Sequence, residues 1–279
     1  MREYIKKKPI TTCCSLFLIC LCARFLEYFV IRTDETVIGE NPVHKVIGIV
    51  LLFIVLRAAN MTWSEIGFSK RGFLKGISLG LLFGAVCFAV SYGAEMILLA
   101  TQGKAAHIQL YISGFSLTGM AVKNTGALLF LLCAAFNVIN VWMEEGLFRG
   151  FFIHVIADRH SFAKANLSAA LLFGIWHFVM PVRSFLDGEL VFSQMLLLAG
   201  GYVILSGLMS IKWGLLYRMT GNLWLGAADH FFNNTVATNM LHVVTGSGAD
   251  EMQIVRVMLA QMISCTLVAV FYRLSKRKP

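Results

Sequence analysis

The chain has 279 residues, of which 58% are hydrophobic and only 14% charged, and its mean hydropathy is +0.73. Soluble domains carry about 25% charged and about 45–50% apolar residues, so this chain has too few charges to solvate a water-facing surface of its size. Four prolines and the lack of any low-complexity tract exclude collagen-like and disordered designs. A net charge of +9 would suit a nucleic-acid partner in a soluble protein. Here the basic residues fall in short loops between apolar runs, which suits membrane orientation and no nucleic acid. The composition indicates an all-α polytopic integral membrane protein surrounded by lipid.

A membrane-crossing helix needs about 20 mostly apolar residues. Eight such spans are predicted, at 12–31, 43–57, 76–100, 124–156, 165–182, 190–211, 222–244 and 253–272. The second has a short apolar stretch, and the fourth is over-long and must tilt or extend beyond the bilayer. Placing the N-terminus in the cytoplasm puts 17 of the 24 Lys and Arg residues on the inner side and 6 outside, with Arg24 inside the first span. This bias predicts that both termini are cytoplasmic. On this topology Lys212 is an inner-loop residue, and Lys45, Arg183 and Arg256 are outer ones. The first span follows a basic stretch as a signal peptide does, but it lacks an A-x-A site and runs on to Ile31, so it reads as uncleaved.

Arg24 and Glu27 stand one helical turn apart and are expected to pair within the membrane. Residues 58–75 read as an interfacial segment around Trp63, and 101–123 as an external loop. The seven cysteines are odd in number and show no C-x-x-C spacing, so they read as buried apolar thiols; acylation of Cys13 and Cys14 is a weak alternative. The chain reads as a single membrane domain over 1–279, with motif-free spans in 1–120 and a motif-bearing core in 124–245.

Ionisable groups inside apolar runs are costly unless paired or wetted, and so they mark function. The fourth span carries Asn137, Asn140, Glu144, Glu145 and Arg149, the fifth carries His177, and the seventh carries Asp229, His230, Asn233 and Asn234. Glu145 and Arg149 share a helix face and form a brace; so do His230 and Asn234. Glu144 lies about 100° round the helix from Glu145 and is expected to point elsewhere, pairing with Asn140. Counted from the inner span ends, Glu144, His177 and His230 lie about 21, 18 and 12 Å deep. Three helices can thus bring them to one level in the inner half of the membrane.

A carboxylate and two imidazoles around trapped water suit hydrolysis. Glu144 is the candidate general base on a water attacking a peptide carbonyl, and His177 holds that water or passes its proton to the leaving amine. His230 and Asn234 are candidate donors to the oxyanion. Glu144, His177 and His230 are equally a His₂Glu zinc set with one open position; Asn234, a poor zinc ligand, tilts the reading towards a metal-free centre. The remaining histidines, His44, His107, His154, His160 and His242, read as structural or surface residues. No His precedes a Glu, no G-x-S-G occurs, and Asp229 is the only Asp in a span, which leaves out three other intramembrane protease chemistries.

Glu144-Glu145-Gly146-Leu147-Phe148-Arg149 fits E-E-x-x-x-R, Phe173 to His177 fits F-x-x-x-H, and His230 to Asn234 fits H-x-x-x-N. In that order the sequence resembles the CPBP (CAAX protease and bacteriocin-processing) family, also called Abi or type II CAAX prenyl endopeptidases. The resemblance covers roughly residues 124–245. It implies a membrane-embedded fold of eight spans with a cytosol-facing cavity, and endopeptidase activity centred on Glu144, His177, His230 and Asn234. It leaves the mechanism open between metalloprotease and metal-free glutamate protease. The substrate it implies is a membrane-associated peptide or protein, either a prenylated CaaX tail or a bacteriocin- or signal-like peptide. The alternatives are a non-catalytic scaffold or self-immunity protein using the same cavity and, with no repeat symmetry to support it, a proton-coupled transporter.

Overall fold

A computed structural model of the chain describes residues 1–36, 40–112 and 123–276. Arg277 and Lys278 of the basic tail, and 113–122 of the expected external loop, lie outside them. The chain is helical almost throughout. After a short α1 (Arg2–Lys7), α2 (Pro9–Leu26) begins on a proline, whose missing N–H costs nothing in a first helical turn. A π-helical turn, Glu27–Ile31, extends it to Arg32, where the backbone turns left-handed. Then follow α3 (Val43–Ala58), α4 (Phe73–Thr101), α5 (Ala127–Glu144), a π-helical stretch Glu145–Phe152 and α6 (Ile153–Ala157). Next come α7 (Phe162–Trp176), α8 (Val179–Leu186), α9 (Phe192–Thr220), α10 (Trp224–Phe231) with a third π-helical stretch Phe232–Met240, and α11 (Gln253–Ser275).

Six helical stretches among the described residues are long and apolar enough to cross a bilayer: Pro9–Glu35, Phe73–Thr101, Ala127–Ala157, Phe162–Leu186, Phe192–Thr220 and Gln253–Ser275. The other two expected spans exist as helix but are shorter, α3 with 16 residues and α10 with 8 before its π-helical extension. The outer surface carries exposed Leu82, Leu131, Leu197 and Met262, side chains that a lipid solvent covers. The molecule is an all-α, multi-pass membrane protein.

Two parts of the chain depart from the helical expectation. Ala106–Leu110 (β1) pairs antiparallel with Leu241–Thr245 (β2), Ala106 opposite Thr245. The end of the predicted seventh span is therefore a strand, as the β-branched Val243-Val244-Thr245 run favours. Of the expected interfacial segment 58–75, residues 59–72 form turns and loops between α3 and α4, anchored by buried Ile66 and by Phe68, which stacks on Trp142 at 4.7 Å.

Packing decides where the polar groups meet. Gly76, Gly80 and Gly84 recur every fourth residue on α4 and face α10; a Cβ on Gly80 would lie 2.3 Å from the Leu225 carbonyl oxygen. This small-residue stripe lets the two backbones touch and sets α10 deep in the bundle. α7 packs on α9, and α9 and α4 both pack on α11. Phe17, Phe148, Phe173, Trp176 and Trp213 form the apolar bed between them. At one end, Arg183 pairs with Asp34 (2.7 Å), Glu35 (2.8 Å) and Asp187 (3.2 Å), and Arg32 pairs with Asp187 too. These ion pairs fasten the end of α2 to the end of α8.

Among the described residues, four of the cations counted on the inner or outer side are buried: Lys45, Lys212 and Arg256, read as loop residues, and Arg149 of the fourth span. Arg256 pairs with Glu95 at 2.7 Å, and Lys212 with Asp229 at 2.6 Å, inside the bundle. Charge inside a span imitates a span boundary in sequence, which is why they were misplaced. Without them the Lys and Arg asymmetry is 15 against 4, still in the same sense.

Candidate active site

Glu144 is the last residue of α5, and the π-helical turn begins at Glu145. The wider turn matters, since π-turns redirect side chains and recur at functional sites. Glu144 and Glu145 do not diverge as a regular helix would require. They bracket one imidazole: Oε1 of Glu145 lies 2.8 Å from Nδ1 of His230, and Oε2 of Glu144 lies 3.5 Å from its Nε2. His230 is itself the penultimate residue of α10, which passes into its own π-helical stretch at Phe232.

The brace is present, Arg149 Nη1 to Glu145 Oε1 at 3.3 Å. The guanidinium is fully buried, 3.8 Å over the Phe173 ring and 4.7 Å over Trp213. Trp213 in turn stacks on His230 with ring centroids 4.0 Å apart. Asn234, one turn beyond His230, places Nδ2 at 3.1 Å from the His230 Nε2. His177, just past the end of α7, has Nδ1 2.9 Å from the Phe173 carbonyl oxygen. The Phe173 ring lies between the two imidazoles, its centroid 4.6 Å from that of His177 and 6.2 Å from that of His230. Both imidazoles lie within Coulombic reach of Glu144.

Proton positions follow from the partners. A carbonyl and a carboxylate only accept, so both histidines donate from Nδ1 and keep a lone pair on Nε2. The His230 lone pair accepts the Asn234 amide N–H. In this tautomer His230 has no N–H left for an oxyanion.

Two expected pairings are replaced. Glu144 is bonded by Trp176 Nε1, which donates to Oε1 at 2.8 Å, and no hydrogen bond joins it to Asn140 among the described residues. Arg24 does not pair with Glu27. It reaches across to Glu144, Nη1 to Oε1 at 3.9 Å, and lies 4.5 Å over the Trp176 ring. Glu27 instead accepts from the backbone N–H groups of Val43 (2.9 Å) and His44 (2.6 Å) and meets the His44 ring at 2.5 Å. A carboxylate at the positive N-terminal end of α3 is favourably placed, and it outcompetes the nearer arginine. Arg24 is the site residue that the sequence reading missed; the signal was an arginine within a span without a certain partner.

The centre therefore holds two carboxylates, Glu144 and Glu145, against two guanidiniums, Arg24 and Arg149, all buried. Balanced charge is what lets ionised groups persist out of water. Two carboxylate oxygens here are buried without a hydrogen-bond partner, Oε2 of Glu145 and Oε2 of Glu144, and of the two it is the Glu144 oxygen that faces an imidazole Nε2, at 3.5 Å. It is an acceptor awaiting a donor. The other four histidines with described partners are structural or surface groups, as expected: His44 with Glu27, His107 with Gln109, His160 with Lys164 and His242 with Asp250.

As a zinc set, Glu144, His177 and His230 do not fit. No group of three His, Cys, Asp or Glu side chains converges at metal-holding spacing among the described residues. The His230 Nε2 lone pair already accepts from Asn234, and the Arg24 cation sits beside the Glu144 carboxylate.

The helical bundle and the buried carboxylate–imidazole centre define a multi-pass membrane protein with an intramembrane polar site. Residues 124–236 match the family model described as Rce1-like, type II CAAX prenyl endopeptidase Rce1-like. The matched segment contains all three motifs and agrees with the resemblance they carry. Arg24 and α11 lie outside it. None of the curated proteins compared with the chain matches it.

Proposed function

We propose that the protein is an intramembrane endopeptidase that hydrolyses a peptide bond in a membrane-associated substrate, with water activated by Glu144. The observation that carries this reading is the Glu144 carboxylate itself. Trp176 and Arg24 hold its Oε1, while its Oε2 is free and faces His230 Nε2 at 3.5 Å. A buried, oriented carboxylate with one unsatisfied oxygen suits a general base.

A water on Oε2 gives its proton to Glu144 as its oxygen bonds to the scissile carbonyl carbon. The carbonyl oxygen becomes an oxyanion, stabilised in the dry site by the second N–H of Asn234. His177 Nε2 accepts the other hydrogen of the water and aligns its lone pair. Glu144 then returns the proton to the leaving nitrogen, the C–N bond breaks, and a carboxylic acid and an amine result. Glu145 and Arg149 keep His230 in its tautomer. The core of the activity is 124–245, with both termini in the cytoplasm and the cell membrane as its location.

The surroundings of the site support one substrate class. An apolar groove of about 580 Å³ between Phe25, Leu26 and Phe29 on one side and Val182 and Leu186 on the other opens towards lipid. Its Phe25 packs at a tilt on Phe178, ring centroids 5.7 Å apart, and these two residues directly follow Arg24 and His177 in sequence. A groove of this character beside the site favours a substrate with an attached apolar chain, such as a prenylated CaaX-type peptide.

The test is cleavage by the full-length protein in lipid nanodiscs of a fluorogenic CaaX-type peptide, farnesylated and unmodified. Expected is a single cut in the farnesylated peptide and slower cutting of the other. Binding of both without any cut would overturn the reading in favour of a scaffold.

A further inference from the structure

The polar residues of α9, α10 and α11 that the three motifs do not include form one directed chain that ends at His230. The ammonium of Lys212, buried in α9, donates to Gln261 Oε1 (2.9 Å), Ser264 Oγ (3.1 Å) and Asp229 Oδ2 (2.6 Å). Gln261 Nε2 donates to Asn233 Oδ1 at 3.0 Å, and Asn233 Nδ2 to Asn234 Oδ1 at 2.8 Å. Asn234 Nδ2 donates to His230 Nε2 at 3.1 Å, and His230 Nδ1 to Glu145 Oε1 at 2.8 Å. Lys212, Gln261 and His230 are each no more than 3% exposed, and Asn233 is buried too, so only half-buried Asn234 is open to water.

The direction is forced from both ends. An ammonium has three N–H donors and no acceptor, and three acceptors saturate this one. Gln261 must therefore turn its oxygen to Lys212 and its NH₂ to Asn233. Each following amide must copy that orientation. At the far end a carboxylate can only accept, which fixes the His230 proton on Nδ1. Aligned hydrogen bonds polarise one another in a low-dielectric interior.

We infer that Lys212, Gln261 and Asn233 are positioning residues that lock the Asn234 amide and the His230 tautomer for the reaction proposed above. The chain keeps Nε2 of His230 unprotonated beside Glu144 Oε2 and leaves Asn234 one N–H for the substrate oxyanion. It also gives α11 a part in the site. The inference rests on the endopeptidase reading for its kinetic consequence, and on the hydrogen bonds alone for the tautomer.

The decisive variant is Gln261→Glu, which exchanges one NH₂ for an acceptor and removes the donor to Asn233. Asn233 and Asn234 must then reverse, and Asn234 turns its oxygen to His230. Gln261→Met, which removes both ends of the link without adding charge, serves as the second variant should the first fail to fold. In ¹⁵N-histidine-labelled full-length protein in nanodiscs, the wild type should show His230 protonated on Nδ1 and bare on Nε2. Either variant should move the Nε2 resonance. With the farnesylated fluorogenic CaaX-type peptide as probe, kcat should fall about 10- to 100-fold, the size of a loss of alignment, with KM unchanged.

A wild-type His230 protonated on Nε2, or a folded variant with unmoved ¹⁵N resonances, overturns the inference. So does a variant with undiminished kcat in a preparation whose wild type cuts the probe. Should the wild type cut neither peptide, the endopeptidase reading falls, and the ¹⁵N resonances alone still decide the chain.

Discussion

Arg24, on the first membrane helix, lies 3.9 Å from the carboxylate of Glu144, on the helix that opens the motif-bearing core. The contact joins a part of the chain without motifs to the centre of the site. Arg24 gives the carboxylate a counter-charge and, with Trp176, fixes which of its oxygens remains free. Arg24→Gln in nanodiscs is expected to lower kcat about 10- to 100-fold and to lower the melting temperature, because a buried charge loses its partner. Arg24→Lys should recover part of the rate. Unchanged kcat in Arg24→Gln would remove Arg24 from the site.

Trp176 donates its indole N–H to Glu144 at 2.8 Å, and its ring supports Arg24. Trp176→Phe keeps an aromatic ring and deletes the donor. A hydrogen bond to a charged group contributes about 1.5–3 kcal/mol, so the released carboxylate should lose its orientation and kcat should drop about tenfold. A chromatographic profile and melting curve like wild type, together with that drop, are the expected pair of results. A Trp176→Phe enzyme as fast as wild type would show that the indole N–H does not orient the base.

Glu145 hydrogen-bonds His230 and is the ion-pair partner of Arg149. Glu145→Ala strands a fully buried guanidinium, and the expected cost is about 3–5 kcal/mol. Thermal unfolding in detergent measures it. The double variant Glu145→Ala with Arg149→Met should regain much of the stability, since neither charge is then left alone. A single variant that melts like wild type contradicts the brace.

The ion pair between Lys104 and Glu251, beside β2, supplies a pH test. Glu251 is held down to about 2 by the Lys104 ammonium and by the hydroxyls of Ser247 and Thr245, from an ordinary value of 4.5. A carboxyl with a lowered folded pKa stabilises above its unfolded pKa and loses that contribution as pH falls towards the folded one. Stability should therefore hold near neutral pH and decline between about 4.5 and about 2. Lys104→Met should flatten that decline, as melting temperatures across the range will show. An identical decline in the variant would place its cause elsewhere.

Local geometry was legible in the sequence, and long-range choice among partners was not. His230 with Asn234 and Glu145 with Arg149 meet because four residues make one helical turn, and both contacts are present. Arg24 and Glu27 have nearly that spacing, yet each found a better partner on another helix, the carboxylate of Glu144 and the N-terminal end of α3. The divergence expected of Glu144 and Glu145 assumed an unbroken α-helix. The π-turn that begins at Glu145 leaves no mark on the pattern of apolar residues, and it brings both carboxylates to His230. Lys212 read as a loop residue because a lone lysine marks the end of an apolar run; only packing shows Asp229, Gln261 and Ser264 waiting for it.

The central claim is that Glu144 takes the proton from the attacking water. Its most direct measurement is single-turnover cleavage of the farnesylated peptide by Glu144→Gln, which keeps the shape and an acceptor oxygen but loses the base. The account predicts a rate lower by about 10²–10⁴-fold in a protein that binds the peptide and melts as wild type does. A Glu144→Gln protein that cleaves at the wild-type rate would contradict it.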